Sequence, residues 1–177
     1  MGNVMVLKGQ SGVRAHDPNG YPDQATDEQS NGRKGWVCVV SNFLNMTGCS
    51  THLTAKTAPS GIRETQLWEY SSVINTYISA GYPLWACGDL NLQWNTSTNA
   101  NSMFNNWWYA LMKEADTFSL APSAKRVTTD NGGSPNPNSA PLRIDYIFRR
   151  NPNSVYTDPY IHNSGNSDHH WYQMYNN

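Results

Sequence analysis

The sequence has little charge, few cysteines and no long apolar run. Only 14% of its 177 residues are Asp, Glu, Lys or Arg, and 12 cations against 13 acids leave a formal charge of -1. That excludes the basic signature of a protein that captures polyanions by its overall field, so any attraction to nucleic acid has to be built locally. No segment approaches the roughly 20 apolar residues that a membrane-spanning helix needs. The opening stretch, Met1-Gly-Asn-Val-Met-Val-Leu-Lys, lacks the basic start and apolar core of a secretory leader. Three cysteines are too few for a disulfide scaffold.

What is present suits one globular domain over residues 1–177. The chain is 38% hydrophobic, with seven Trp and ten Tyr, enough to bury a sizeable core. Its wealth of Asn, Ser, Thr and Gly beside few Lys and Glu is the composition of an extracellular, secreted protein. Cys38 and Cys49 flank an expected hairpin and could pair, leaving Cys87 as a buried thiol. Asn45-Met-Thr and Asn95-Thr-Ser match glycosylation sequons, a weak signal in so Asn-rich a chain.

Along the chain, Val4 and Val6 alternate with Met5 and Leu7 as in a buried strand. A strand beginning almost at the first residue is unusual for a complete domain, so the N-terminus reads as cut. Residues 10–34 are polar and carry the turn signals Asp17-Pro-Asn-Gly and Asn31-Gly, which predict a long surface loop, locally basic at Arg14, His16, Arg33 and Lys34. Residues 35–43 and 47–53 predict two strands of an antiparallel hairpin. Ser60–Ala80 has a helical stripe of Ile62, Leu67, Val73, Ile74, Tyr77 and Ile78, with Ser60 as cap and Gly81 as stop. Leu84–Gly88 is a short buried strand, so residues 47–88 predict strand, helix, strand with a right-handed crossover and parallel pairing. A second amphipathic helix is expected over 102–115, with Phe104, Trp107, Trp108, Leu111 and Met112 on its core side. Residues 122–141 read as a surface excursion and Leu142–Phe148 as a last internal strand.

Four short stretches carry chemistry-bearing residues. In Gly88-Asp-Leu-Asn, period-two geometry sends Asp89 and Asn91 off the strand end on one face, where they can meet a cation or phosphate together. The plainer reading is an Asx turn. In Arg143-Ile-Asp-Tyr-Ile-Phe, Ile144, Tyr146 and Phe148 alternate with Arg143, Asp145 and Ile147. Asp145 therefore needs a cation, a histidine or a hydrogen-bond donor, and a structural pair with Arg143 is the plainer alternative. Thr51-His-Leu places a histidine at a strand end, and Ser167-Asp-His-His places an acid and two imidazoles in a loop; either alone is ordinary surface or fold chemistry.

Taken in order, Ser50-Thr-His-Leu, Gly88-Asp-Leu-Asn, Arg143-Ile-Asp-Tyr-Ile-Phe and Ser167-Asp-His resemble the endonuclease/exonuclease/phosphatase superfamily, which includes pancreatic deoxyribonuclease I. Arg63 and Gln66 resemble its Arg-x-x-Gln helix, and Gly2-Asn-Val-Met-Val-Leu looks like its Gly-Asn-Ala-Ile-Leu-Ser strand. The resemblance runs from residue 2 to about 175. It implies an α/β fold, a deoxyribonuclease I-like two-sheet sandwich flanked by helices and N-terminally truncated, with a divalent-metal phosphodiesterase or phosphatase site at one edge.

The resemblance assigns roles that phosphoryl chemistry requires: an aligned water, neutralised phosphoryl oxygens and help for the leaving oxygen. His169, held by Asp145, activates water. His52 faces the phosphate as a donor, Asp89 and Asn91 position phosphate, water or metal, and Asp168 with Asp89 is on the side of Mg2+ or Mn2+. The family also places an Asn and a metal-binding Glu before the strand that here starts at Gly2. The expectation is therefore a fragment, an internal start, or a second chain completing the fold, with activity weak or lost in this chain alone. Asp17, Asp23, Asp27 and Glu28 are the acids at hand to replace the Glu.

The expected substrate is a phosphodiester, most simply DNA or RNA; a phosphatase or phospholipid phosphodiesterase would use the same residues. Trp94, Trp107, Trp108 and Trp171 could stack on bases or touch lipid, although the helical pair suits the core. A reading from another class is a non-catalytic module that binds phosphate ligands or a partner through the same groove. Two histidines together with three acids favour the enzyme, since binding alone does not need acid and base side by side.

Overall fold

The computed structural model describes residues 13–20, 34–41, 46–55, 60–91, 113–114, 144–150, 160–162 and 171–173. Six strands form one mixed sheet: β1 (Val13–Gly20), β2 (Gly35–Ser41), β3 (Met46–His52), β4 (Leu84–Asp89), β5 (Lys113–Glu114) and β6 (Asp145–Arg149), in the spatial order β1-β2-β3-β4-β6-β5. A single described helix, α1 (Ser60–Ser79), lies between β3 and β4 in sequence. Two further strands, β7 (Tyr160–His162) and β8 (Trp171–Gln173), pair antiparallel as a separate ribbon.

The expected hairpin is present, and a disulfide crosses it. β2 and β3 run antiparallel with Cys38 opposite Cys49, and these two residues are bonded. β3 and β4 are parallel, from Thr47 beside Leu84 to His52 beside Asp89, as a strand, helix, strand unit demands.

One face of α1 builds the core. Arg63, Gln66, Leu67, Tyr70, Ser71, Ile74 and Ile78 are buried, at the three- and four-residue steps of one helical stripe. Leu67, Tyr70, Ile74 and Ile78 pack with Cys38, Cys49, Leu53, Leu84, Ala86, Leu90, Tyr146 and Phe148, and Val73 and Tyr77 join from the edge. Polar members within the stripe (Arg63, Gln66, Ser71) are what blur its amphipathic pattern in sequence. The helix stops through backbone geometry: Gly81 takes φ +85°, its N–H donates to Ile78 O at 3.0 Å and the Tyr82 N–H to Tyr77 O at 3.1 Å. This is a Schellman ending, closed by an edge-on contact of the Tyr77 and Tyr82 rings.

The alternation expected around Asp145 is observed. Ile144, Tyr146 and Phe148 are buried while Asp145, Ile147 and Arg149 are half-buried on the other face. On that face Arg149 lies 5.0 Å from the centre of the Trp85 ring, its register partner.

Two expectations fail. Residues 13–20, read as part of a loop, form β1 along the outer edge of β2. The Asp17-Pro18 turn signal is absorbed as a bulge, because two residues lie between His16 and Asn19 where β2 has only Val37 between Cys38 and Trp36. A bulge excuses proline's missing N–H from the ladder. Lys113–Glu114, assigned to the end of a helix, pair instead with Arg149 and Phe148. There the open edge of β6 overrides local helix preference. The strand over 4–7, the helix over 102–112 and the sequon asparagines Asn45 and Asn95 lie outside the described residues.

Candidate active site

The site is a row across four strands at one end of the sheet. Gly35 stands opposite His52, His52 beside Asp89 and Asp89 opposite Asp145. Side chains at paired positions share a face. The strand alternation that buries Leu84, Ala86, Tyr146 and Phe148 against α1 puts Asp89 and Asp145 on the opposite face with His52.

His52 and Asp89 touch. His52 Nε2 is 3.3 Å from Asp89 Oδ2, with the imidazole side chain 27% and the carboxylate 14% exposed. A carboxylate at that nitrogen favours the proton on Nε2 and turns the Nδ1 lone pair elsewhere. Asp89 Oδ1 accepts the Asn91 N–H at 2.9 Å. Both oxygens of one carboxylate are thus used, one for the ring and one for the turn. The Asx-turn reading and the site reading of Gly88-Asp-Leu-Asn therefore hold together.

The backbone is shaped for this contact. Gly88 has φ +150°, and a Cβ there would lie 2.0 Å from Thr51 O, so only glycine lets β3 and β4 close up next to the row. Asn91 adopts φ +49°, a left-handed conformation that Asn tolerates better than most residues. Its Nδ2 donates to Leu53 O at 3.0 Å, and the Leu53 N–H donates to Asp89 O at 2.9 Å. The chain leaving His52 is thereby stitched to the chain leaving Asp89.

α1 pins the same segment from the other side. Gln66 Oε1 accepts the Thr54 N–H and Gln66 Nε2 donates to Thr54 Oγ1, each at 2.8 Å. Arg63 donates to Ala55 O at 2.8 Å. Burial pushes the Arg63 pKa below its ordinary value, with Glu64 opposing. The Arg-x-x-Gln pair singled out in the sequence is thus a backbone clamp on the two residues that follow Leu53.

One neighbour of His52 is absent from every motif. Lys34, which precedes β2, holds its Nζ 3.1 Å from His52 Nε2 and 3.4 Å from Nδ1. The signal that could have found it is the hairpin register, which returns the start of β2 to the end of β3.

His169 and Asp168 lie outside the described residues, so the structure brings together His52, Asp89, Asn91 and Asp145 from the expected set. Paired carboxylates are hard oxygen donors of the kind Mg2+ takes. Among the described residues no group of three or more His, Cys, Asp or Glu forms a metal cluster.

No family model and no curated protein matches this chain. Solved structures do. The human Nocturnin catalytic domain with bound sulfate is 15% identical, with a TM-score of 0.59 over 92% of this chain and 60% of that one. A Neisseria 3' phosphatase, NExo, bound to a product DNA hairpin is 11% identical, with a TM-score of 0.64 over 87% of this chain and 69% of that one. An endonuclease/exonuclease/phosphatase from Beutenbergia cavernae is 19% identical, with a TM-score of 0.61 over 93% and 44%. The chain carries the deoxyribonuclease I-like fold that these structures share. It spans 60%, 69% and 44% of the lengths of these three proteins.

Proposed function

We propose that residues 1–177 carry the phosphate-handling side of a metal-dependent phosphodiester hydrolase, acting on DNA or RNA. The observation that carries this reading is the row of His52, Asp89 and Asp145, in which one carboxylate orients an imidazole and also closes the turn bearing Asn91. A fold shared with a 3' phosphatase bound to DNA supports a phosphoester as substrate and a nucleic acid as its source.

As the imidazolium, with its Nε2 proton held by Asp89, His52 donates its Nδ1 proton toward a phosphoryl or leaving oxygen as charge develops there. Asp89 keeps that ring in one orientation, which matters because a donor displaced by about 1 Å forfeits much of its effect. Asn91 keeps its amide oxygen for the substrate or its water while its Nδ2 is fixed to Leu53. His169, partnered by Asp145, takes the proton of the attacking water. Asp89 and Asp168 would hold Mg2+ or Mn2+, which when bound supplies positive charge to the phosphoryl oxygens. Secretion is part of the proposal, and the Cys38–Cys49 bridge supports an oxidising compartment.

The test uses the longest in-frame product containing residues 1–177. Nicking of supercoiled DNA and release of p-nitrophenol from a phosphodiester are measured with Mg2+ and with chelator, for the native protein, His52→Ala and Asp89→Asn. Metal-dependent cleavage lost by about a hundredfold or more in both variants is expected. Cleavage undiminished in both, or none by the native protein on any phosphoester, overturns the reading.

A further inference from the structure

Lys34, Arg63, Arg149 and Arg150 are four cationic residues whose side-chain contacts the structure gives. Arg63 is buried and spent on Ala55 O. Arg149 covers Trp85 and Arg150 donates to Ile78 O. Arg149 ends β6, which enters the row at Asp145, Arg150 follows it, and four strand residues put about 13 Å between that end and the row. Lys34 is the one that the fold brings to the row, one residue before Gly35 and within 3.4 Å of both His52 ring nitrogens.

We propose that Lys34 is a phosphate-anchoring residue of this site, a deepening that rests on the phosphodiesterase reading above. Its ammonium stands 3.1 Å from Nε2 and 3.4 Å from Nδ1 of His52, and Nε2 is also the nitrogen 3.3 Å from Asp89 Oδ2. A phosphate oxygen is a charged acceptor, and a charge-assisted hydrogen bond is roughly twice as strong as a neutral one. The contact with His52 keeps the lysine beside the atoms it serves. A single flexible point charge suits a phosphodiester oxygen without demanding one bidentate geometry. Lys34 thereby adds the local positive charge that a chain of net charge -1 does not supply through its overall field.

The alternative is that Lys34 only covers the ring. Inorganic phosphate is titrated into the same full-length protein with Mg2+ present, following the His52 ring resonances, which are assigned by their loss in His52→Gln. Native protein, Lys34→Met and Lys34→Arg are compared, with far-ultraviolet circular dichroism to show that each is folded. The expected result is phosphate binding weakened about tenfold or more in Lys34→Met and largely restored in Lys34→Arg. Equal binding in native protein and Lys34→Met, or no binding by the native protein, overturns the proposal. The phosphodiesterase reading is judged separately by turnover. If phosphate binds through Lys34 and no phosphoester is cleaved, the anchor stands and the hydrolase falls.

Discussion

Asp89 and Asp145 face one another across the antiparallel pair of β4 and β6, two carboxylates at directly opposed positions on one face of a sheet. Like charges so placed oppose folding by a few tenths of a kcal/mol to about 1 kcal/mol, and a chain selected only for stability has no reason to keep them. Their arrangement makes sense as a place where positive charge arrives, from a cation, a histidinium or both.

Asp145→Asn should therefore separate chemistry from stability. Turnover is expected to fall by about a hundredfold or more, while the melting temperature moves by no more than a few degrees, since one like-charge repulsion is removed and the side-chain volume is kept. Steady-state kinetics and a thermal melt on the same sample measure both. A large fall in melting temperature with turnover retained would make Asp145 a structural residue.

Gly88→Ala should damage the site through the backbone. The added methyl meets Thr51 O at 2.0 Å, on a backbone at φ +150°, so β3 and β4 have to part beside the His52–Asp89 contact. A cost of about 2 kcal/mol or more is expected by urea unfolding, with turnover reduced in the fraction that still folds. A variant as stable as the native protein would mean that the two strands have slack at this point.

Reduction of the Cys38–Cys49 bridge should lower stability by about 3 kcal/mol on loop-closure grounds, for a sequence separation of 11. The measurement is a urea midpoint with and without a phosphine reductant, with Cys38→Ser/Cys49→Ser as the chemical control. The bridge joins strands already hydrogen-bonded to each other, so the reduced chain keeps its sheet order. A loss well under 1 kcal/mol would show that the strand pairing survives in the unfolded ensemble and leaves the bridge little to restrict.

Cys87 supplies a pH dependence whose sign is fixed. Burial pushes its thiol above its ordinary value, with a hydrogen bond to Ser50 opposing. The folded chain thus keeps the proton to higher pH than the unfolded chain, which titrates near ~8.5. Between those two points the folded state binds more protons, so stability falls as pH rises. The contribution is whole below the unfolded value and is lost through the alkaline range. Melting temperatures from pH 7 to 10.5 should fall more steeply for the native protein than for Cys87→Ala; parallel curves would show that the thiol is not the group responsible.

The strand, helix, strand unit is legible in the sequence because its apolar spacing, its turn signal at Gly81 and its short apolar run all agree. β1 and β5 are not legible. Each lies on a sheet edge, where pairing with a neighbour distant in sequence decides the conformation, and each carries residues that favour something else. The site divides in the same way. His52, Asp89, Asn91 and Asp145 stand at strand ends in short motifs, whereas Lys34 belongs to a stretch whose only visible trait is being basic, and its place depends on a partner 18 residues away. Arg63 and Gln66 are visible as a pair, yet nothing local says that their hydrogen bonds end on Ala55 and Thr54 rather than on a ligand.

That clamp has a consequence for how the molecule fails. Gln66 lies on α1 immediately before Leu67, one of the side chains that seal the core, and it grips the backbone two residues beyond His52. Undocking the helix and releasing the histidine are then one event. Activity followed along a heating ramp should give a curve that overlays the loss of tertiary structure, with no window in which a loosened molecule still turns over and none in which an intact core harbours a dead site. For this fold an activity assay doubles as a gauge of helix docking.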